Sequence, residues 1–420
     1  MKNIGAIRLL LSANFISGIA QGISMISIPA YFASSEQSNW FNIAYAIITC
    51  VSLFWSIYGG TLIDKYNRKH IFLVLNIVNA IAIGGIAYLE GMHWGNTNYW
   101  AAAVFALTFW NYNLHYPCFY AFMQEITERE NYNKIASYIE IQSQMASAFA
   151  GAGAALLLGG GLTTSFFVFE IEPWTLSQIF ALDACTYFVA LLIIYAIRFV
   201  PIVERKEEQG TVRERLKVGY KFLKTRPYIF LFGILTHAVF VVTLLHIFNL
   251  APLYVAQHLE AGAQVFAISE IFYATGAIIA GVAIHKIFGG IAFVKAIIIM
   301  MLITTLELIG LIASNEVWVF YLVSVCLGIT NAGIRVIRIS YLFKVLPNQV
   351  MGRVNSIFFL SNIMARIIFL TLFSLTFFHH SGNVIYAFLT LSIFIFVCLL
   401  ILMFFYTKHY FVENPKAQRS

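Results

Sequence analysis

The chain has 420 residues, 60% of them hydrophobic and only 11% Asp, Glu, Lys or Arg, with a formal net charge of +7. A soluble domain carries roughly 25% charged residues, so this composition excludes an ordinary water-soluble enzyme or binding module. The apolar residues run in blocks of about 20, the length a helix needs to cross hydrocarbon, and they lack the short alternating strands of a membrane barrel.

In chain order the blocks predict twelve spans: Ile7–Phe32, Phe41–Ile63, Ile71–Leu89, Tyr99–Phe122, Ile135–Gly159, Leu176–Val200, Tyr228–Val255, Val265–His285, Ala292–Ala313, Val317–Leu342, Asn355–Phe378 and Val384–Tyr406. The opening Met1-Lys2-Asn3 followed by Ile4–Leu11 could pass for a signal peptide. Its apolar run continues past Asn14, Gln21 and Ser24 to Ala33, too long for such a leader, and reads as the first span. Pro201–Pro227 is the longest connection and divides residues 1–200, six spans, from residues 228–420, six more. Its tail, Thr211–Phe222, carries Arg213, Arg215, Lys217 and Lys221. That pattern fits a helix lying on the membrane face, or a solvated linker.

Charge placement tests the count. The even-numbered connections, the span ends beside them and both termini hold Lys2, Arg8, Lys65, Arg68, Lys69, Arg129, Lys134, Arg198, the Arg205–Arg226 cluster, Lys286, Lys295, Lys344, Arg353, Lys408, Lys416 and Arg419. The odd-numbered connections hold Glu36, Glu90, Glu170, Glu172, Glu260 and Glu316, with no Lys or Arg. Lys and Arg mark cytoplasmic loops, so both termini are expected in the cytoplasm of a cell whose inner membrane the chain crosses. The basic excess implies contact with anionic lipid rather than nucleic acid. Cys50, Cys118, Cys185, Cys326 and Cys398 lie in separate apolar blocks and read as small packing residues, not as a disulfide set or a metal site.

A shift of 220 residues pairs Asn111-x-x-x-His115 with Asn331-x-x-x-Arg335, and nearly the same shift pairs Gly60–Lys65 with Gly281–Lys286. Two similar six-span halves form a transporter architecture. Between spans two and three stands Gly60-Thr61-Leu62-Ile63-Asp64-Lys65-Tyr66-Asn67-Arg68-Lys69. This resembles the loop signature of the major facilitator superfamily, G-x-L-x-D-[RK]-x-[GN]-R-[RK], at that family's position. The resemblance implies an all-α membrane protein with twelve transmembrane helices in two pseudo-symmetric six-helix bundles. It also implies that Gly60, Asp64, Lys65, Arg68 and Lys69 act as a conformational gate rather than a substrate site.

Within the superfamily, Lys134–Glu140 with Ser143-Gln144, Leu182-Asp183-Ala184, Leu216–Arg226, Ser269-Glu270-Ile271 with Gly276, and Gly352-Arg353-Val354 look like the macrolide-efflux and siderophore-export branch. The fifth span departs from the drug-antiporter pattern. Gly151-Ala-Gly153 through Gly159-Gly160 contains no proline.

Strongly polar residues in hydrocarbon face partners or a water-filled cavity, because a central charge costs at least ~2.5 kcal/mol. Spans one, four, seven and ten line the central cavity in the resembled family. They carry Asn14, Ser17 and Gln21; Asn111 and His115; His246 and Asn249; and Asn331, Arg335 and Arg338. These stripes read as a substrate lining, although any single Asn or Ser also serves as packing glue. Glu270 and Asp183 are candidate proton carriers, since a carboxyl group in low dielectric exchanges its proton nearer neutral pH. The alternative for each is a neutral or ion-paired group that fixes packing. Glu140, Glu307 and His237 read as structural. Arg338 reads as solvated, and Arg366 as paired with a buried carboxylate. Most tryptophans fall near span ends, as interface anchors do.

No G-x-x-x-x-G-K-[ST] is present, so ATP does not drive the protein through a P-loop. The expectation is a monomeric transporter, not an enzyme, with no cofactor and a proton gradient as its energy source. Its task is export of an amphipathic drug or siderophore. An importer of a siderophore or other anionic nutrient, and a lipid flippase, are the alternatives.

Overall fold

The computed structural model describes residues 3–413, apart from 129–130, 164–167, 203–211, 289–290, 347 and 381. Side chains at some further positions, Gly60, Asp64 and Glu140 among them, lie outside the described residues.

The first half is built from α1 (Ile4–Ser34), α2 (Ser38–Lys65), α3 (Arg68–Gly91), α4 (Thr97–Ile126), α5 (Tyr132–Gly159) and α6 (Leu176–Ala196). Polar caps set several of the ends. Asn67 accepts the Lys69 N–H at 2.9 Å to start α3, and Asn96 accepts the Asn98 N–H at 2.8 Å to start α4. Thr175 and Gln178 form a reciprocal capping box on α6. Gly160, at φ 72°, ends α5 in the left-handed conformation. A short antiparallel hairpin then pairs β1 (Gly161–Thr163) with β2 (Val168–Glu170), where the sequence predicts only a connection.

After the central linker come α7 (Val212–Lys224), α8 (Pro227–Thr236), α9 (Ala238–Leu245), a π-helical turn (His246–Leu250) and α10 (Ala251–Gln257). Then follow α11 (Ala263–Phe288), α12 (Phe293–Ala313), α13 (Val317–Val345), α14 (Asn348–Phe373) and α15 (Val384–Glu413). Counting α8–α10 as one broken run, the described residues contain twelve long helical segments in the predicted order. Ten of them hold a window apolar enough to cross a membrane. The departure is the seventh. The sequence predicts one continuous span, whereas the chain breaks at His237 and widens at His246.

Hydrophobic burial does not drive helices together inside lipid, so close packing of small residues does. In the first half Gly18 and Gly22 of α1 face Ala146 and Ala150 of α5, and a Cβ on Gly22 would stand 2.5 Å from that of Ala150. In the second half the contact is tighter. A side chain on Gly276 of α11 would meet the Val325 carbonyl, and one on Gly328 of α13 would meet that of Tyr273. The linker helix α7 does not only carry basic residues. Its Leu223 is fully buried, and its Gly219 rests against the Arg353 backbone of α14.

By contact the chain forms two compact units, residues 1–209 with 260–271, and residues 210–259 with 272–420. The start of α11, which carries Glu270, therefore belongs to the first unit.

Candidate functional site

In the first unit the polar stripes of α1 and α4 meet α5 and α6 as two hydrogen-bonded chains. His115 Nε2 lies 2.7 Å from Asn14 Oδ1, and Asn14 Nδ2 donates to Gln142 Oε1 at 2.7 Å. With the Asn14 amide nitrogen facing Gln142, its carbonyl faces the imidazole, the arrangement that pairs with a proton on His115 Nε2. The ring is wedged between Phe72, edge-on at 5.0 Å, and Phe119, stacked at 6.1 Å.

The second chain centres on Tyr187, whose hydroxyl accepts from Gln21 Nε2 at 3.0 Å and from Asn111 Nδ2 at 3.3 Å. Two amide donors occupy its lone pairs, so its own proton is available to donate. Asp183 lies one turn earlier on α6, fully buried, with neither carboxylate oxygen hydrogen-bonded among the described residues. Ser24 is its polar neighbour, and its charge reaches Tyr112 and Tyr187. Tyr112 stacks on Tyr116 at 5.2 Å, completing an aromatic wall on α4. Glu270 is half-buried, packs against Gly151 of α5, and forms no ion pair among the described residues.

In the second unit the π-helical turn presents His246 and Asn249, both buried. Its Ala251 N–H reaches back to the His246 carbonyl, five residues away instead of four. Pro252 is the local cause. It has no N–H for the Phe248 carbonyl, and its ring crowds that carbonyl in a regular helix. Wide turns of this kind concentrate at functional sites. His246 packs against Phe320 and Phe388, and Asn331 donates to the Tyr273 hydroxyl at 2.7 Å. Arg335 is half-buried.

A family model for the Major Facilitator Superfamily matches residues 10–369. The chain belongs to the Major Facilitator Superfamily. A search of curated proteins gives no significant sequence match. Among solved structures, a mutant form of the nucleoside transporter NupG superposes with a TM-score of 0.70 at 12% identity, covering 95% of this chain and 99% of that one. A D-xylose–proton symporter gives 0.68 at 12% identity, with 96% and 97% covered. The transporter PepTSo, of the POT family, gives 0.70 at 10% identity, with 96% and 98% covered. Identities this low show the shared fold and nothing of the solute. A multi-pass transporter, rather than an enzyme, is what family and fold support.

The superfamily loop between α2 and α3 is tied into its own unit. Arg68 donates to Glu125 at 3.0 Å and to the Ala121 carbonyl at 2.7 Å. Lys69 donates to the Tyr195 and Ile197 carbonyls at 2.9 and 2.7 Å. One turn of chain thus holds the ends of α4 and α6, with the ammonium group neutralising the negative end of α6. Lys65 is exposed, and the side chain of Asp64 lies outside the described residues.

One reading of a single residue changes. Arg338 is buried, not solvated, and donates to the Thr236 carbonyl at 3.0 Å. That carbonyl lies beside the break at His237. Glu307, read as structural, is buried with neither oxygen hydrogen-bonded among the described residues. Arg366 donates to the Asn362 side-chain oxygen at 3.1 Å, one helical turn away. Sequence reasoning missed Tyr187, Gln142 and Glu125. Tyr187 was findable, because it follows Asp183 by four residues and shares its helix face.

Proposed function

We propose that this chain is a proton-coupled secondary transporter that exports an amphipathic organic solute by alternating access, with both termini in the cytoplasm and the inner membrane as its site. The observation that carries the reading is the Gln21–Tyr187–Asn111 chain inside the first unit, one helical turn from the buried Asp183, whose carboxyl group has no ion-pair partner among the described residues. A carboxyl group left without a counter-cation among polar and aromatic side chains is suited to load and release a proton. Glu270 shares that property at the start of α11. Asn14, Gln21, Asn111 and His115 then offer directional polar contacts to the solute, and Tyr112 and Tyr116 offer apolar faces. Within the second unit, His246, Asn249, Asn331 and Arg335 offer polar contacts of the same kind.

The macrolide-efflux and siderophore-export resemblance supports the direction. The guanidinium of Arg335, a fork that suits carboxylate or phosphate, favours a second reading, import of an anionic solute.

Proteoliposomes with an imposed pH gradient and a panel of amphipathic and anionic solutes test both. The expected result is movement that follows the gradient, and that loses this dependence in Asp183→Asn or Glu270→Gln while solute binding is retained. Movement indifferent to the gradient in the unmodified protein sinks the coupling.

A further inference from the structure

At the end of the first unit remote from Arg68 and Lys69, a cavity of about 400 Å³ opens between α1, α3, α4, α5 and the starts of α6 and α11. That volume lies in the range of small-molecule sites, roughly 300–1,000 Å³. Tyr31, Glu90, Thr97 and Trp174 line it. Glu90 accepts one hydrogen bond, from the Thr97 hydroxyl at 2.7 Å, and forms no ion pair among the described residues. Tyr31 feels the Glu90 charge, while its hydroxyl donates to Asn98 Oδ1 at 3.0 Å. What Tyr31 can offer the cavity is therefore its ring. The connections at this end carry Glu36, Glu90, Glu170 and Glu172 and no Lys or Arg, so no basic side chain of these loops can neutralise Glu90.

We propose that this cavity binds an organic monocation, an alkylammonium group on an apolar body, held by the Glu90 carboxylate and the rings of Tyr31 and Trp174. The chemistry favours a diffuse cation over a metal ion. Aromatic faces attract quaternary and alkylated ammonium groups, which shed water easily. A metal needs several hard ligands, and no group of three His, Cys, Asp or Glu gathers among the described residues. The site is separate from the Asp183 chains, and binding here requires no translocation. Its failure would leave the transport reading standing.

Equilibrium binding to the full-length protein in zwitterionic nanodiscs tests it, with benzyltrimethylammonium as probe and neopentylbenzene as its uncharged isostere. The charged probe is expected to bind and the isostere not. Glu90→Gln should weaken binding at least ten-fold, and Tyr31→Leu or Trp174→Leu several-fold. Glu36→Gln, which neutralises an exposed carboxylate at the same end, should change nothing. Equal binding of the isostere, full binding by Glu90→Gln, or equal loss in Glu36→Gln would overturn the proposal. If Glu90→Gln does not fold, the comparison of the two probes on the unmodified protein decides alone.

Discussion

Tyr187 shows how much can hang on one hydroxyl. Tyr187→Phe leaves the Gln21 and Asn111 amides without their acceptor, which costs about 1–3 kcal/mol for buried donors. We expect a lower melting temperature in detergent and a larger loss of transport than of stability. Arg68 offers the complementary case. Glu125 is almost fully buried, and removing the guanidinium that neutralises it should cost about 3–5 kcal/mol. Arg68→Ala should therefore express poorly, whereas Arg68→Ala combined with Glu125→Gln should recover much of the lost stability. Equal melting temperatures for the single and double variants would refute the pairing. The sequence marks Arg68 through the loop signature. It does not mark Glu125, because 57 residues separate them and only the meeting of α3 with α4 brings them together.

At the scale of elements, the spans were legible because lipid demands long apolar helices, and that demand is written in composition. Asn14, Gln21, Asn111 and His115 were legible because their stripes repeat at helical spacing. Gln142 joined them unannounced, since it stands among Glu140, Ser143 and Gln144 on α5, and so dense a polar cluster does not mark which side chain faces α1. Also hidden was the wide turn in the seventh span, where strong hydropathy concealed Pro252. Pro252→Ala should let α9 run regularly into α10, turning His246 and Asn249 relative to each other. Transport should fall while thermal stability holds or rises, as paired uptake and melting measurements would show. The Gly276–Gly328 contact makes an opposite demand. Gly276→Ala drives a methyl group into the Val325 carbonyl, and overpacking of this kind costs about 1–3 kcal/mol. Its melting temperature should drop, with little change in the solute preference of the protein that survives.

For the whole molecule, the one-sided distribution of Lys and Arg makes a topological claim that chemistry can check. A cysteine placed at Glu36 or Glu316 should react with an impermeant maleimide on intact cells. One placed at Lys65 should react only after the membrane is opened. The reverse pattern would invert the orientation and, with it, the side from which the Glu90 cavity is reached. Cys50 and Cys185 are exposed on the protein surface within their helices, so a cysteine-free background is the proper starting point.

The π-helical turn has a mechanical meaning as well as a chemical one. It stores one surplus residue in a helix that otherwise advances about 100° per residue. Such slack can travel. If the wide turn migrates by a residue, the segment it passes is rotated by a fraction of a turn without any stretch of chain unfolding. The seventh span is thus threaded like a screw with one loose pitch, and His246 and Asn249 ride on that pitch. Hydrogen exchange faster at 246–251 than in the flanking turns would register the looseness directly.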